Sequence, residues 1–514
     1  MSLLGLAVGK EKFLPDADQA IMEMMKTPLE ADDMQREYIK EAAERICKCL
    51  KGDFKKFLPH MLPGIYASFS IEMEHSTEDD DDDEEYVQMT VGREGKLVKV
   101  KSSKFEELEQ NLQLLRTFCV EMEGAFRDFV EGTAKALMPI INPTEEHAVL
   151  YEDSKGTAFQ VWAQLIKCVL KADNTNTGVA AELLKTFLQI VLASMDQDDD
   201  PETLRAAIDG VGECVKNCGP GVLGAQEVLQ IVQKFFVSID KSFIRTKQIQ
   251  DAKKAGAAGA PPELQDDEEE DNSESDEDDL RQTIVEAMGH IMEVAPADFL
   301  PCLQECNTRI MTWLGTKDNK VLALFLGCEL LKHLKEQSEP VWPALMPAVM
   351  ACLSSQEPEE RIPAAYAVNL ASPLSSFAQA APDAFQRLAA IVGGPAPKRS
   401  QERAKVALDN AVSALLALAV AQGPQCPPTI KPCGLVASRL HLKDDEEEAK
   451  KVHEHLANLV MTEHQFLMED GGAHLGKVLS CLAEVYKQEE LSAKETDEKI
   501  LKIFSLLPRD NLVK

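Results

Sequence analysis

An apolar residue followed at once by proline, with more apolar residues after it, recurs along this chain. The step appears at Leu58-Pro59 and Leu62-Pro63, Met138-Pro139, Leu300-Pro301 and Met346-Pro347. Pro59 and Pro139 lie 80 residues apart, and Pro301 and Pro347 lie 46 apart. A second signature interleaves with the first. Acidic or polar residues open an Ala-rich amphipathic stretch at Asp200-Pro201-Glu202, Asp279-Leu280-Arg281, Lys317-Asp318-Asn319, Glu357-Pro358-Glu359, Ser400-Gln401-Glu402 and Asp444-Asp445-Glu446. The last five of these starts are spaced by about 40 residues, a period that belongs to arrays of two-helix repeats. Acids at these places complement the helix dipole and the unpaired first N–H groups. Pro201 and Pro358 fit a first helical turn, where no N–H is needed.

This period predicts an all-α fold: a HEAT-repeat α-solenoid, a right-handed superhelix of stacked antiparallel helix pairs. One helix pair cannot bury its apolar stripe alone, so neighbours complete a continuous core. Small residues such as Ala364, Ala365 and Ala367 let adjacent helices approach closely. Further helices are expected near 35–50, 105–122, 155–170, 181–195, 224–238, 383–393 and 475–488, making about nine to eleven pairs. At 514 residues the chain is too long for one globular core.

Three stretches interrupt the array, one of them the Pro- and Gly-rich turns at Gly393 to Ser400 and Gly423 to Gly434 that separate units. An acidic inserted loop is expected at 76–104 within repeats spanning 1–251, with Tyr86-Val87-Gln88-Met89 as a short extended piece inside it. Residues 252–279, Gly/Ala/Pro-rich and then acidic, read as a disordered loop before repeats spanning 280–514.

The net charge is −33, and two runs carry 19 of the acids: Glu78 to Glu85, and 11 positions between Asp266 and Asp279. A surface of this sign repels nucleic acid and anionic membranes and draws basic proteins. Candidate partner-binding residues are therefore Asp79, Asp80, Asp81, Asp82, Asp83, Glu84 and Glu85 in the first run. In the second they are Asp266, Asp267, Glu268, Glu269 and Glu270. Solvation of a charged loop is the plain alternative for both. Ser273 and Ser275 stand among acids, where phosphorylation would add further negative charge.

Neither catalysis nor a cofactor or metal is expected. Phosphate-binding glycine loops and nucleophile elbows are missing from the sequence, and His453, His455 and His464 lack the spacing of a zinc-binding helix. Those histidines are expected to be ordinary surface or partly packed side chains. Trp162, Trp313 and Trp342 sit among Leu, Ile and Val and are expected in the packing between helices. Thirteen cysteines without paired metal spacings read as buried thiols in a reducing compartment. The first residues lack the basic leader of a secretory signal. The longest apolar stretch, Ala411 to Val420, is too short to span a membrane.

Particular residues add a resemblance. Gly5-Leu6-Ala7-Val8-Gly9-Lys10-Glu11-Lys12-Phe13 resembles an internal stretch of the importin-β (karyopherin-β) superfamily, most of all its importin-5-like branch. Phe57-Leu58-Pro59, the acidic run from Asp79 to Tyr86, Glu360-Arg361 with Ala364-Ala365-Tyr366, and Asp444 to Ala449 are similar to later parts of that family, in the same order. The resemblance implies a nuclear import receptor that shuttles between cytoplasm and nucleus. Its partners would be basic cargo such as ribosomal proteins or histones, Ran and nucleoporins, with the chain a monomer. Met1 matches a point near the middle of such a receptor, so Ran and nucleoporin contacts of the preceding half are expected to be weakened. Pro363 departs from the family pattern, and a later start or a bend is expected in its helix. A HEAT scaffold or chaperone for basic proteins without a transport role is the alternative.

Overall fold

The computed structural model describes residues 2–26, 35–75, 86–92, 96–173, 177–196, 199–257 and 267–506, with 267–272 described by backbone alone. The chain divides into two compact units, Met1–Asp298 and Phe299–Lys514.

The first unit contains α1 (Ser2–Val8), α2 (Lys10–Lys26), α3 (Gln35–Leu50), α4 (Leu58–Ala67), α5 (Ser102–Met122), α6 (Val130–Ile141), α7 (Glu152–Ala172), α8 (Thr177–Ser194), α9 (Pro201–Cys218), α10 (Ala225–Ala257) and α11 (Asp267–Val294). The odd-numbered helices from α1 to α11 pack in succession as one row, and each even-numbered helix from α2 to α10 packs beside its pair-mate. Aromatic side chains fill the space between rows. Phe54, Phe118, Phe126, Phe187 and Phe235 are almost wholly buried, and Phe54 lies 5.1 Å from Phe118 between ring centroids. Close packing also excludes side chains. A Cβ on Gly210 of α9 would come within 2.9 Å of Phe187 on α8.

The second unit repeats the scheme. After the short α12 (Pro296–Phe299) come α13 (Leu303–Leu314), α14 (Lys320–Leu334), α15 (Trp342–Leu353), α16 (Pro358–Ala371), α17 (Ala381–Val392), α18 (Glu402–Ala421), α19 (Pro432–Arg439), α20 (Glu446–Met461), α21 (Leu475–Val485) and α22 (Lys494–Leu506). The row α14, α16, α18, α20, α22 is continuous, and α13, α15, α17, α19 form the other layer. This is the all-α HEAT-repeat solenoid expected from the sequence. Helix starts at 320, 358, 402 and 446 follow the polar openings that the sequence marks. The capping chemistry is visible at two of the acidic openings. Asp200 accepts the Thr203 N–H at 2.7 Å, and Asp445 accepts the Glu448 N–H at 3.1 Å.

Several expectations need correction. The segment 252–279 is not one loop: α10 continues to Ala257 and α11 already begins at Asp267, well before 280. The loop expected at 76–104 holds structure as well. Strands β1 (Glu74–His75), β2 (Tyr86–Val91) and β3 (Lys96–Lys101) form an antiparallel sheet in the order β1-β3-β2, and α5 starts at Ser102. The reason is a period of two in Lys96-Leu97-Val98-Lys99-Val100-Lys101, which buries Val98 and Val100 on one face of the ribbon. Pro363 neither delays nor ends α16, which starts at Pro358 and runs through it to Ala371. Two helices do reach the length and hydropathy of a membrane span: α18, with a window mean hydropathy of 1.6, and α8, with 1.3. Both are members of packed pairs. In α18 the apolar stretch carries Asp409, Asn410 and Ser413, all buried and hydrogen-bonded to neighbouring repeats.

Candidate interaction surface

Of the acids expected to bind partners, Asp79 to Glu85 and Asp266 lie outside the described residues. Asp267, Glu268, Glu269 and Glu270 form the first turns of α11, where the helix dipole favours negative charge. Further along the same run the carboxylates are already engaged. Glu277, 2% exposed, receives both Nε and an Nη of Arg245, the latter at 2.9 Å. Glu274 pairs with Lys253 at 3.0 Å, and Asp279 with Arg205 of α9 at 3.1 Å. Asp278 pairs with Arg281, whose other Nη donates to Ser242 at 2.7 Å and Thr246 at 2.9 Å. The Arg281 guanidinium also stands 4.7 Å from the Phe243 ring centroid. This half of the run is therefore an internal clamp between α10 and α11, not a free acidic loop. Arg245, Lys253 and Arg205, which lie 32, 21 and 74 residues before their partners, neutralise it, and that let the helix form where composition alone suggested disorder. Ser275 is exposed and Ser273 half-buried on that clamp.

In the second unit, polar side chains tie each repeat to the next. Lys320 pairs with Glu360 at 2.7 Å, Asn369 donates to Ser413 at 2.8 Å, and Ser413 donates to Glu448 at 2.7 Å. Asn410 donates to Asp445 at 2.7 Å. Asp409, 7% exposed, accepts the backbone N–H groups of Lys443, Asp444 and Asp445 with one oxygen. Burial pushes its carboxyl up to about 6, with the three amide donors pulling the other way. These contacts hold α14, α16, α18 and α20 in one register.

His453 is completely buried, deeper than the surface or partly packed placement expected for it. Its Nδ1 donates to the Leu491 carbonyl at 2.9 Å, while Nε2 has no partner among the described residues. Burial lowers its pKa, opposed by the bond to Leu491. The neighbouring turn gathers Glu469, Asp470 and His474, whose ligand atoms lie within 4.8 Å of one another. Their carboxylates serve α19: Glu469 accepts the Gly434 N–H at 3.0 Å, and Asp470 pairs with Lys431 at 2.9 Å. Trp162 and Trp313 are buried, and Trp342 packs on Phe377 with its Nε1 donating to Ser338 at 2.9 Å. The cysteines are free, and all but Cys49 and Cys426 are buried. Burial pushes the Cys302 and Cys433 thiols up to about 11, far from the reactive range.

One cavity in the first unit combines concavity with uncompensated negative charge. It encloses about 560 Å³ between β2, α5 and the start of α7. Its apolar walls include Val87 and Met89 of β2, Phe105 of α5, and Leu150 just before α7. Glu106, Glu109 and Asp153 line it, and among the described residues no Lys, Arg or His does. Sequence reading missed this site because its walls come from segments up to 67 residues apart.

No family model matches the chain. Aligned over 519 residues, it is 20% identical to importin subunit beta-3 of Saccharomyces cerevisiae, covering 98% of this chain and 46% of that protein. Along nearly its whole length the chain is similar to this importin-β superfamily protein. Solved structures agree in fold. Kap121p aligns with a TM-score of 0.73 at 18% identity, covering 100% of this chain and 46% of that one. Kap121p bound to RanGTP gives a TM-score of 0.73 at 18% identity, over 99% of this chain and 46% of that one. Kap121p bound to Nup53p gives 0.72 at 18% identity, over 99% and 45%. The chain thus spans about half the length of the importin relatives it matches. The polar ties of the second unit recur at intervals of 35 to 44 residues.

Proposed function

We propose that this chain acts in nuclear import as a karyopherin that binds basic cargo proteins, such as ribosomal proteins or histones, on acidic surface between its repeats. The observation that carries the reading is the similarity to importin subunit beta-3 across 98% of the chain, joined to a net charge of −33. A stacked-repeat surface offers a long series of grooves, and carboxylates placed along them suit Lys and Arg side chains. Relatives of this fold have been solved with RanGTP, with the nucleoporin Nup53p and with Pho4p, which supports Ran, nucleoporins and proteinaceous cargo as partners here. On this reading the protein moves between cytoplasm and nucleus and works by binding, with no chemical step of its own.

The alternative is a scaffold or chaperone that shields basic proteins without carrying them. Ran separates the two. Bound basic cargo released by Ran charged with GTP, and not by Ran charged with GDP, supports the transport reading. Cargo binding indifferent to Ran in either state supports the scaffold.

A further inference from the structure

We infer that the cavity between β2, α5 and α7 is a docking pocket for a single Lys or Arg side chain presented by an extended segment of a basic partner; this deepens, and rests on, the basic-cargo reading above.

The pocket's construction follows from the ribbon beside it. In the hairpin, Tyr86 pairs with Lys101, Gln88 with Lys99 and Met89 with Val98. Alternation therefore separates two faces. Lys99 and Lys101 go to one face, where their ammonium groups stand 5.1 and 5.7 Å from the Tyr86 ring centroid. Val87, Met89, Val91, Val98 and Val100 go to the other, which turns its apolar side toward α5. Lys99 and Lys101 are thus kept off the cavity wall, while Lys96, opposite Val91 on the apolar face, pairs with Glu146 at 3.8 Å. Val87 remains 39% exposed, an apolar surface left open at the cavity.

The helices supply the charge. Glu106 and Glu109 are three apart on α5 and so share a face, and Asp153 approaches from the first turn of α7. Among the described residues neither Glu106 nor Asp153 has an ion-pair or hydrogen-bond partner, and both are exposed. Glu109 is half satisfied. One oxygen accepts from Thr157 at 2.7 Å and from Gln113 at 3.0 Å, while the other is shielded from solvent and has no donor. The nearby cation Lys40 is bound to the amide oxygen of Gln110 at 3.0 Å. Three carboxylates therefore act together on a cavity that, among the described residues, is lined by no positive side chain.

A long aliphatic stem with a cationic head matches this arrangement. The stem lies against Phe105, Leu150, Val87 and Met89, and the head reaches the carboxylates. A volume of about 560 Å³ holds one such side chain with part of its backbone, and is too small for a folded surface. An acidic or neutral occupant would leave the charge unanswered. The eight-acid run ends at Glu85, immediately before β2, so the sequence also concentrates negative charge next to this strand.

The test uses the full chain and a fluorescein-labelled Lys/Arg-rich peptide, with an acetyl-lysine and citrulline peptide as control. Three proteins are compared at low salt: the unaltered chain, Glu106→Gln/Asp153→Asn, and Glu489→Gln/Glu490→Gln. The last pair is exposed and removes the same charge elsewhere. The pocket predicts a loss of about tenfold or more for Glu106→Gln/Asp153→Asn, no comparable loss for the control variant, and equal thermal midpoints for all three. Equal peptide affinity in all three, or an equal loss in both variants, overturns the pocket and leaves the basic-cargo reading intact. No binding to the unaltered chain, with either peptide, overturns both.

Discussion

Asp409 of α18 accepts the backbone N–H of Asp444 at 2.8 Å, one repeat further along the row. The same oxygen also takes the amides of Lys443 and Asp445, so one buried carboxylate closes the turn that leads into α20. Asp409→Ala leaves three donors without an acceptor, and an unsatisfied buried donor costs about 1–3 kcal/mol. Asp409→Asn keeps an acceptor oxygen. Thermal unfolding should show a clear fall in midpoint for Asp409→Ala and a smaller change for Asp409→Asn.

The same carboxyl makes stability depend on pH in a defined direction. Its folded value of about 6 lies above the ordinary aspartate value of 3.8. The native state holds the proton more tightly, so this group's contribution is full below 3.8, declines as pH rises toward about 6, and is flat above. Denaturant titrations from pH 4 to 7 should show the unaltered protein losing stability relative to Asp409→Asn as pH rises. A constant difference would refute the assignment.

His453 acts in the opposite sense. Its lowered pKa favours the neutral ring in the folded state, and Nε2 would have no acceptor for an added proton. Its contribution is present above the unfolded imidazole value and fades as pH falls through the folded one. His453→Gln should therefore flatten part of the acid-side loss of stability, while costing stability at neutral pH through the lost contact with Leu491. Parallel pH-stability curves for the two proteins would contradict this.

The α10–α11 clamp gives a fourth expectation. Glu277→Gln leaves Arg245 without its buried partner, and breaking a buried pair from one side costs about 3–5 kcal/mol. Hydrogen exchange should accelerate along 242–254 and 273–281 and stay unchanged in α20. Arg245→Met/Glu277→Leu should restore much of the protection.

Gly327 on α14 tests the closeness of helix packing. A Cβ there would sit 2.5 Å from Leu345 Cδ1 on α15. Gly327→Ala should lower stability by about 1–3 kcal/mol, as overpacking does. The same substitution in a Leu345→Ala background should cost less, measured by a double-mutant cycle.

These cases also show which parts of the molecule local sequence carries. Helix starts at Pro201, Pro358 and Glu446 were legible because caps and first-turn prolines act within a few residues. The helical start of α11 was not, since Arg245 and Lys253 neutralise its acids from α10, far off in the sequence. His453 looked superficial beside Glu454 and His455, and only its packing against the Leu491 segment buries it. The pocket bounded by Val87, Glu106 and Asp153 needs a strand and two helices in place at once. No short pattern encodes that.

The most direct test of the central claim is the affinity of the unaltered chain for a Lys/Arg-rich peptide across a salt series, read by fluorescence anisotropy. The account predicts micromolar or tighter binding at low salt, weakening steadily as salt rises, and none for the charge-neutralised peptide. Failure to bind at low salt, or equal affinity for the neutral peptide, would contradict it.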